Sequence, residues 1–441
     1  MRIPRVLRRL GVLVGVVAAL LIVLAAVVPM LVSADAVRDR LLPQAEAATG
    51  ARIALDEAQL VILPRLGLKL RSGRIEGTGQ GLREARGRDW GIESYLLEID
   101  EVEVGAALWP LLSRRLEVRQ VRLSGPQLRL VRDGRVTVAQ DYRLVLRDLA
   151  LGPAAAPVPG APPGDAIPAD LACRADLAIG RLAHGDVVYD DVTAEAALED
   201  RVLEVPRFAA RLGGGALSGS AAVDWARDPW GELVFAWEAA GVPAADLLGP
   251  WVPELARRLE GTLDASGRGS CSLRDRDAAL ASLDLAGTAS AGAGVLHAAD
   301  WLRDVSPYLG NRQDLKDIRF TELGHAFGVE RGRYVIEDLA IDGPDTRWRG
   351  AGSVGLDGSL DLALQVTLPP GFTPDLGQWS FLAETLRDRD GRVQLDLVLG
   401  GRAERPSVGL DLSRLKAGMS DQGAETIKEG VGSLLDKWKS K

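Results

Sequence analysis

From about Arg52 to Leu412 the apolar residues of this chain recur at every second position, and that period excludes most folds. The stretch Arg52–Ile75 ("RIALDEAQLVILPRLGLKLRSGRI") reads as two strands joined at Pro64. In the second, Leu66, Leu68 and Leu70 share one face while Gly67, Lys69 and Arg71 take the other. Leu116–Gly134 reads as strand, Gly-Pro turn, strand, opening with Leu116 and Val118 on one face. Ser359–Leu368 groups Leu360, Leu362, Leu364, Val366 and Leu368, and Arg392–Leu412 repeats the pattern with Val393, Leu395, Leu397 and Leu399. Such alternation fits antiparallel strands with one covered and one wet face. Parallel α/β units would need helices of about 10–15 residues between strands, and the pattern holds none there. The sequence predicts a mainly β protein with a few short helices.

Helical spacing is confined to breaks in this pattern. Ser33–Gly50 reads as a short helix that Pro43 bends and Gly50 stops, and further breaks fall near Pro243–Glu260 and Ala299–Leu309. The Pro/Ala-rich stretch 151–169 has the composition of a linker or long surface loop. It separates a part at 35–150, helix plus strands, from a larger β part at 170–412. The tail 413–441 ends in an amphipathic helix with Ile427, Val431, Leu434, Leu435 and Trp438 at helical spacing. Lys437, Lys439 and Lys441 with Trp438 make it a candidate membrane or partner contact. The competing reading packs that helix on the end of a sheet, its lysines favoured by the helix dipole.

Ahead of the strands lies Leu10–Ala34, a run without one charged residue, preceded by Arg2, Arg5, Arg8 and Arg9. About 20 apolar residues cross a hydrocarbon core, and positive charge stays cytoplasmic. Residues 1–34 therefore read as a cytoplasmic stub and transmembrane anchor, with everything after them outside the cytoplasm. A cleaved signal peptide competes through the small residues Val32-Ser33-Ala34, but its apolar region is usually about 7–15 residues. Cys173 and Cys271 are the only cysteines, and in that compartment they are either a disulfide or two buried thiols.

The composition and motifs speak against most chemistry. A net charge of −8 and the lack of a basic patch with interleaved aromatics argue against nucleic acid as a partner. His184, His297 and His325 are the only histidines, and none stands at ligand spacing from another His or Cys, so no metal or cofactor is expected. "GTGQG" (Gly77–Gly81) lacks the spacing of a dinucleotide fingerprint. "SRLK" (Ser413–Lys416) matches a Ser-x-x-Lys nucleophile motif without its partner motifs. The sequence offers no catalytic residues, and the expectation is a protein that is not an enzyme.

Several blocks together resemble the AsmA-like family. "ATGARIALDEAQLVILPRLGLKLRSGRI" (Ala48–Ile75) is similar to its start, and Val102–Gly134, with "LWPLL" and a Gly-Pro turn, to its next block. Gly332–Leu364 and Leu399–Leu412 resemble its C-terminal part. The family's usual Asn-Trp after the first lobe's Gly is replaced here by Arg135-Val136-Thr137 after Gly134, and the chain is modest in length. The resemblance implies a relative of chorein-type bridge-like lipid transfer proteins: an elongated, strongly twisted antiparallel sheet curled into a groove. It also implies an inner-membrane anchor, a periplasmic body in a Gram-negative envelope, and a role in phospholipid movement or outer-membrane biogenesis.

Periodicity alone does not distinguish a groove from a sandwich core, since both want one apolar face. The groove reading makes Leu66, Leu68, Leu70, Leu116, Val118, Leu360, Leu362, Leu364, Val366, Leu395, Leu397 and Leu399 the lining for phospholipid acyl chains. Its partners would be those lipids, the inner membrane and an envelope protein at the far end. The alternative function is a non-enzymatic scaffold or assembly factor for outer-membrane proteins or envelope polymers, offering a sheet edge for strand pairing.

Overall fold

The computed structural model describes residues 50–61, 66–86, 91–106, 118–150, 171–250, 253–297, 317–355, 357–372, 387–402 and 405–411, with a few isolated positions. The apolar N-terminal run, Leu116, the break at 299–309, Ser413, Lys416 and the tail lie outside them. Among the described residues no helix is long and apolar enough to cross a membrane. The chain divides into two compact units, Met1–Val252 with Ser266–Leu285, and Pro253–Ala265 with Ala286–Lys441.

Unit 1 is an antiparallel meander in which each strand pairs with the next. Its first half is β1 (Ala51–Val61), β2 (Leu66–Thr78), β3 (Ile92–Ala106), β4 (Val118–Arg132) and β5 (Arg135–Ala150). Its second half is β6 (Ala172–His184), β7 (Val187–Glu199), β8 (Val202–Leu212), β9 (Gly215–Asp224) and β10 (Glu232–Pro243). Pro43, Glu46 and Ala47 are helical just ahead of β1. Gly50 closes that helix at φ +64°, its N–H donating to the Glu46 carbonyl at 2.7 Å, a left-handed end that glycine adopts without strain. The Pro/Ala-rich stretch does not divide the sheet, because β5 and β6 pair on either side of it, as Leu144 opposite Leu177 shows. Composition marks a break in the strand pattern; it does not report whether the flanking strands pair.

Hairpin chemistry sets the register. Between β4 and β5, Arg132 faces Arg135 across Asp133 (φ +49°) and Gly134 (φ +68°), a two-residue turn whose left-handed pair matches the twist of the strands. The "GTGQG" glycines serve packing. A Cβ on Gly77 would enter the Tyr95 ring, one on Gly79 the Ile92 carbonyl, and one on Gly81 the Gly50 carbonyl. They let α1 (Gly79–Arg86) lie close to the residues that open β1 and β3, a helix that the strand pattern did not announce.

Apolar residues of β1–β6 and Leu82 of α1 form one buried cluster. Val102, Val104 and Val121 are fully buried in it, and burying such a side chain stabilises by roughly 1.5–3 kcal/mol. Tyr142 donates its hydroxyl to the Glu98 carbonyl, and burial, helped by Asp100 and Glu98, pushes its phenol well above the ordinary range. After β10 come α2 (Ala244–Leu248) and α3 (Pro253–Ala256), within the expected break at 243–260. β11 (Leu259–Glu260) and β12 (Thr262–Ser272) precede α4 (Arg276–Ser282), which Asp275 caps by accepting from the Ala278 N–H at 2.8 Å. Cys173 on β6 and Cys271 on β12 are free thiols, each pushed up by burial, so the disulfide alternative falls.

β13 (Asp284–Ala291) then leads into unit 2, where β14 (Gly294–His297) pairs with β11 and with β15 (Asp317–Phe320). The rest of unit 2 is a second meander. It runs β16 (Glu322–Glu330), β17 (Arg333–Asp342), β18 (Arg347–Gly355), β19 (Leu360–Thr367), β20 (Gln394–Arg402) and β21 (Arg405–Leu410).

Candidate functional site

Antiparallel register turns the period-two pattern of unit 2 into continuous apolar rows. Tyr334, Val354 and Leu360 stand side by side across β17–β19. The next row is Phe327, Ile336, Gly352, Leu362, Leu399 and Val408, spanning β16–β21. Gly350, Leu364 and Leu397 follow, then Ile341, Trp348, Val366 and Leu395. Directly opposed positions share a face of the sheet, so these rows form one surface. The other face carries Asp361, Gln365 and Asp396, with Gln365 donating to Asp396 at 2.9 Å.

Exposure changes along this surface. At one end Val366, Leu395 and Leu397 are each 3% exposed and Trp348 is 5% exposed. Leu368 and Val393 close that end. Arg392 locks it, donating through Nε to the Leu368 carbonyl at 2.8 Å and through Nη2 to the Asp345 carbonyl at 2.9 Å. Toward the other end Leu360, Leu362, Leu364 and Leu399 are only half-buried. Gly350 and Gly352 face Leu364 and Leu362, and a Cβ at Gly350 would strike the Leu364 side chain. The Leu364 side chain therefore occupies space that Gly350 leaves open, and part of each of the four leucines stays exposed.

One polar group interrupts the apolar surface. His325 of β16 places Nε2 at 2.7 Å from the Tyr334 hydroxyl, beside the stacked Phe327 and Tyr334 rings, whose centroids are 5.1 Å apart. His325 Nδ1 is buried without a hydrogen-bond partner among the described residues. Burial lowers the proton affinity of the imidazole and pushes the Tyr334 phenol up. Both groups stay neutral near pH 7, as an apolar surface requires. Among the described residues no three His, Cys, Asp or Glu side chains converge to hold a metal.

The sequence-derived site residues fall into four groups. Leu360, Leu362, Leu364, Val366, Leu395, Leu397 and Leu399 come together on the surface just described. Leu70, opposite Val102, and Val118 are each 4% exposed inside the unit 1 core. Leu66 and Leu68 pair through their backbones with Ala106 and Val104. Leu116, Lys437, Trp438, Lys439 and Lys441 lie outside the described residues. Sequence reasoning missed Phe327, Tyr334, Ile341 and Trp348. A register bulge between Ile336 and Leu339, with Asp338 at φ +50°, breaks the alternation of β17, and glycines replace apolar residues at two positions of β18. Aligning "RYVIEDLAID" against "RWRGAGSVG" as a hairpin would have placed Trp348 and Ile341 together.

No curated protein and no solved structure is matched by this chain. Residues 7–163 match the model of the AsmA family.

Proposed function

We propose that this chain is a membrane-anchored periplasmic protein that binds phospholipid acyl chains along its apolar sheet surface and passes them on during outer-membrane biogenesis. The family match supports an envelope-related function. The observation that carries the lipid reading is the group of half-buried leucines, Leu360, Leu362, Leu364 and Leu399, on an apolar sheet face whose other end, at Val366 and Leu395, is buried. Moving an acyl chain through water costs about 0.8 kcal/mol per methylene, on the order of 12 kcal/mol for a 16-carbon tail. An aliphatic surface removes most of that cost without directional bonds, so a tail can slide along it. No catalytic group is needed. The uncharged run after Arg9 supplies the anchor, with arginines on the cytoplasmic side.

Native mass spectrometry and lipid extraction of the full-length protein test this reading. Co-purified diacyl lipid, reduced in Leu362→Glu and Leu364→Glu proteins that still fold, supports it. Wild-type protein free of lipid favours the scaffold function instead.

A further inference from the structure

The small sheet of unit 2 rests on little main-chain pairing. β11 meets β14 through Leu259 opposite Leu296 and Glu260 opposite Val295, and one more main-chain bond runs from the His297 N–H to the Arg258 carbonyl just ahead of β11. The side chain of His297, the last residue of β14, spans all three strands. Its Nε2 lies 2.9 Å from Glu260 Oε1 on β11, and its Nδ1 lies 2.9 Å from Asp317 Oδ1 on β15. A neutral imidazole has one N–H and one lone pair. Between two carboxylate oxygens, a neutral ring would set that lone pair against one of them. Only the imidazolium, a donor at both nitrogens, satisfies both contacts.

We propose that His297 is a proton-operated clasp that fastens β11 to β14 and β15 when charged and releases one of them when it loses its proton. Other charged groups face it from both neighbouring elements. Arg258, one residue ahead of β11, accepts from the His297 N–H through its carbonyl at 2.9 Å and donates through Nη1 to the His297 carbonyl at 3.4 Å. Arg319 of β15 pairs with Val295, two residues from His297 on the same face. These guanidiniums oppose a third positive charge, but the two carboxylates touch the ring directly. The hydrogen bond to Glu260, then that to Asp317, raises the proton affinity of His297. A histidine whose folded value is raised contributes its fastening fully below the ordinary value of about 6.5. That contribution is lost as pH rises through the raised value. The ring is 39% exposed, so bulk protons reach it.

The clasp sits where local release has a consequence. Pro253–Ala265 belongs to unit 2, although the chain on both sides of it belongs to unit 1. β11 is a main-chain tie of this segment to the small sheet. One proton therefore governs how firmly the segment is held in its unit, whatever the protein carries.

The test uses the full-length chain in detergent micelles with ¹³C-labelled histidine. His184, His297 and His325 give three titration curves, and His297→Gln identifies one by its loss. Hydrogen exchange, corrected for the intrinsic effect of pH, is followed over 259–260 and 294–297. The expected result is a His297 midpoint above the ordinary value and a several-fold fall in protection through the same midpoint. His297→Gln should show pH-independent exchange at the unfastened level, and Glu260→Gln and Asp317→Asn should each lower the midpoint. Wild-type protection that does not change with pH overturns the proposal. So does a midpoint unmoved in both carboxylate variants, or His297→Gln protein that loses protection throughout unit 2 rather than at the small sheet.

Discussion

Leu70 on β2 and Leu362 on β19 sit in similar sequence surroundings, each part of a Leu-x-Leu-x-Leu strand. In the structure the first is sealed in a cluster fed by β1–β6, while the second stays half-buried on the unit 2 surface. The two regions share antiparallel pairing, spacing and side-chain type. They differ in what stands across from the leucines. Leu70 belongs to a cluster with Val102, Val104, Val121 and Tyr142, contributed by long strands β3–β5. Leu362 has glycine on one side, Gly352, and Leu399 on the other. Alternation decides which way a side chain faces; the residues on neighbouring strands decide whether anything covers it.

The largest expected effect tests that difference through stability. Leu70→Ala removes a buried side chain from a close-packed cluster and should cost about 2–5 kcal/mol in chemical denaturation. Leu362→Ala should cost less than about half as much, because part of Leu362 already meets solvent. Equal losses would break the comparison and make the unit 2 surface an ordinary core. Lipid loading should run the other way. Leu364→Glu should reduce co-purified lipid by about tenfold, equivalent to about 1.4 kcal/mol, with little change in denaturation midpoint. Val104→Glu, which buries an unpaired carboxylate, should unfold unit 1 outright.

The strand pattern, the antiparallel pairing and the shared face of seven unit 2 residues were legible because each follows from local period and turn chemistry. Val366 shows that the period matters more than the residue type: it continues the leucine series of β19, and its β-branched side chain fills a sealed position equally well. Coverage was not legible. It depends on strands far apart in sequence, such as β2 with its cluster partners on β5 and β6. Tyr334 and Trp348 escaped notice because their strands carry a bulge and glycines, which erase the period that reveals a face. No period announced the His325–Tyr334 contact, which side chains on neighbouring strands make at 2.7 Å.

A smaller effect sharpens the comparison by pH. His325 is buried in unit 2 with its proton affinity lowered, so the unfolded chain binds a proton more readily than the folded one. Stability gained from keeping it neutral is present above the ordinary histidine value of about 6.5 and is lost as pH falls from there toward the lowered folded value. The unfolding midpoint of unit 2 should therefore drop between about pH 7 and pH 5, while that of unit 1 follows its own course. His325→Phe should flatten that part of the profile. A wild-type profile that His325→Phe leaves unchanged would remove His325 as its cause.

The smallest effect separates backbone strain from the apolar surface altogether. Between β7 and β8, Glu199 faces Val202 across Asp200 (φ +49°) and Arg201 (φ +64°), the same left-handed pair that Asp133 and Gly134 adopt between β4 and β5. Here the second position is arginine, and a left-handed conformation costs a side chain of this kind roughly 1–2 kcal/mol. Its Nε is also buried without a hydrogen-bond partner among the described residues. Glycine at the site relieves both costs but adds freedom to the unfolded chain, which takes back roughly 0.5–1 kcal/mol. Arg201→Gly should therefore stabilise unit 1 by up to about 1 kcal/mol in denaturation, and Gly134→Arg should destabilise it by a similar amount. Neither turn touches the half-open leucine rows, so lipid loading should stay the same in both variants. A change in loading here would mean that acyl chains reach unit 1 as well, and that the contrast between a sealed and an open region is drawn in the wrong place.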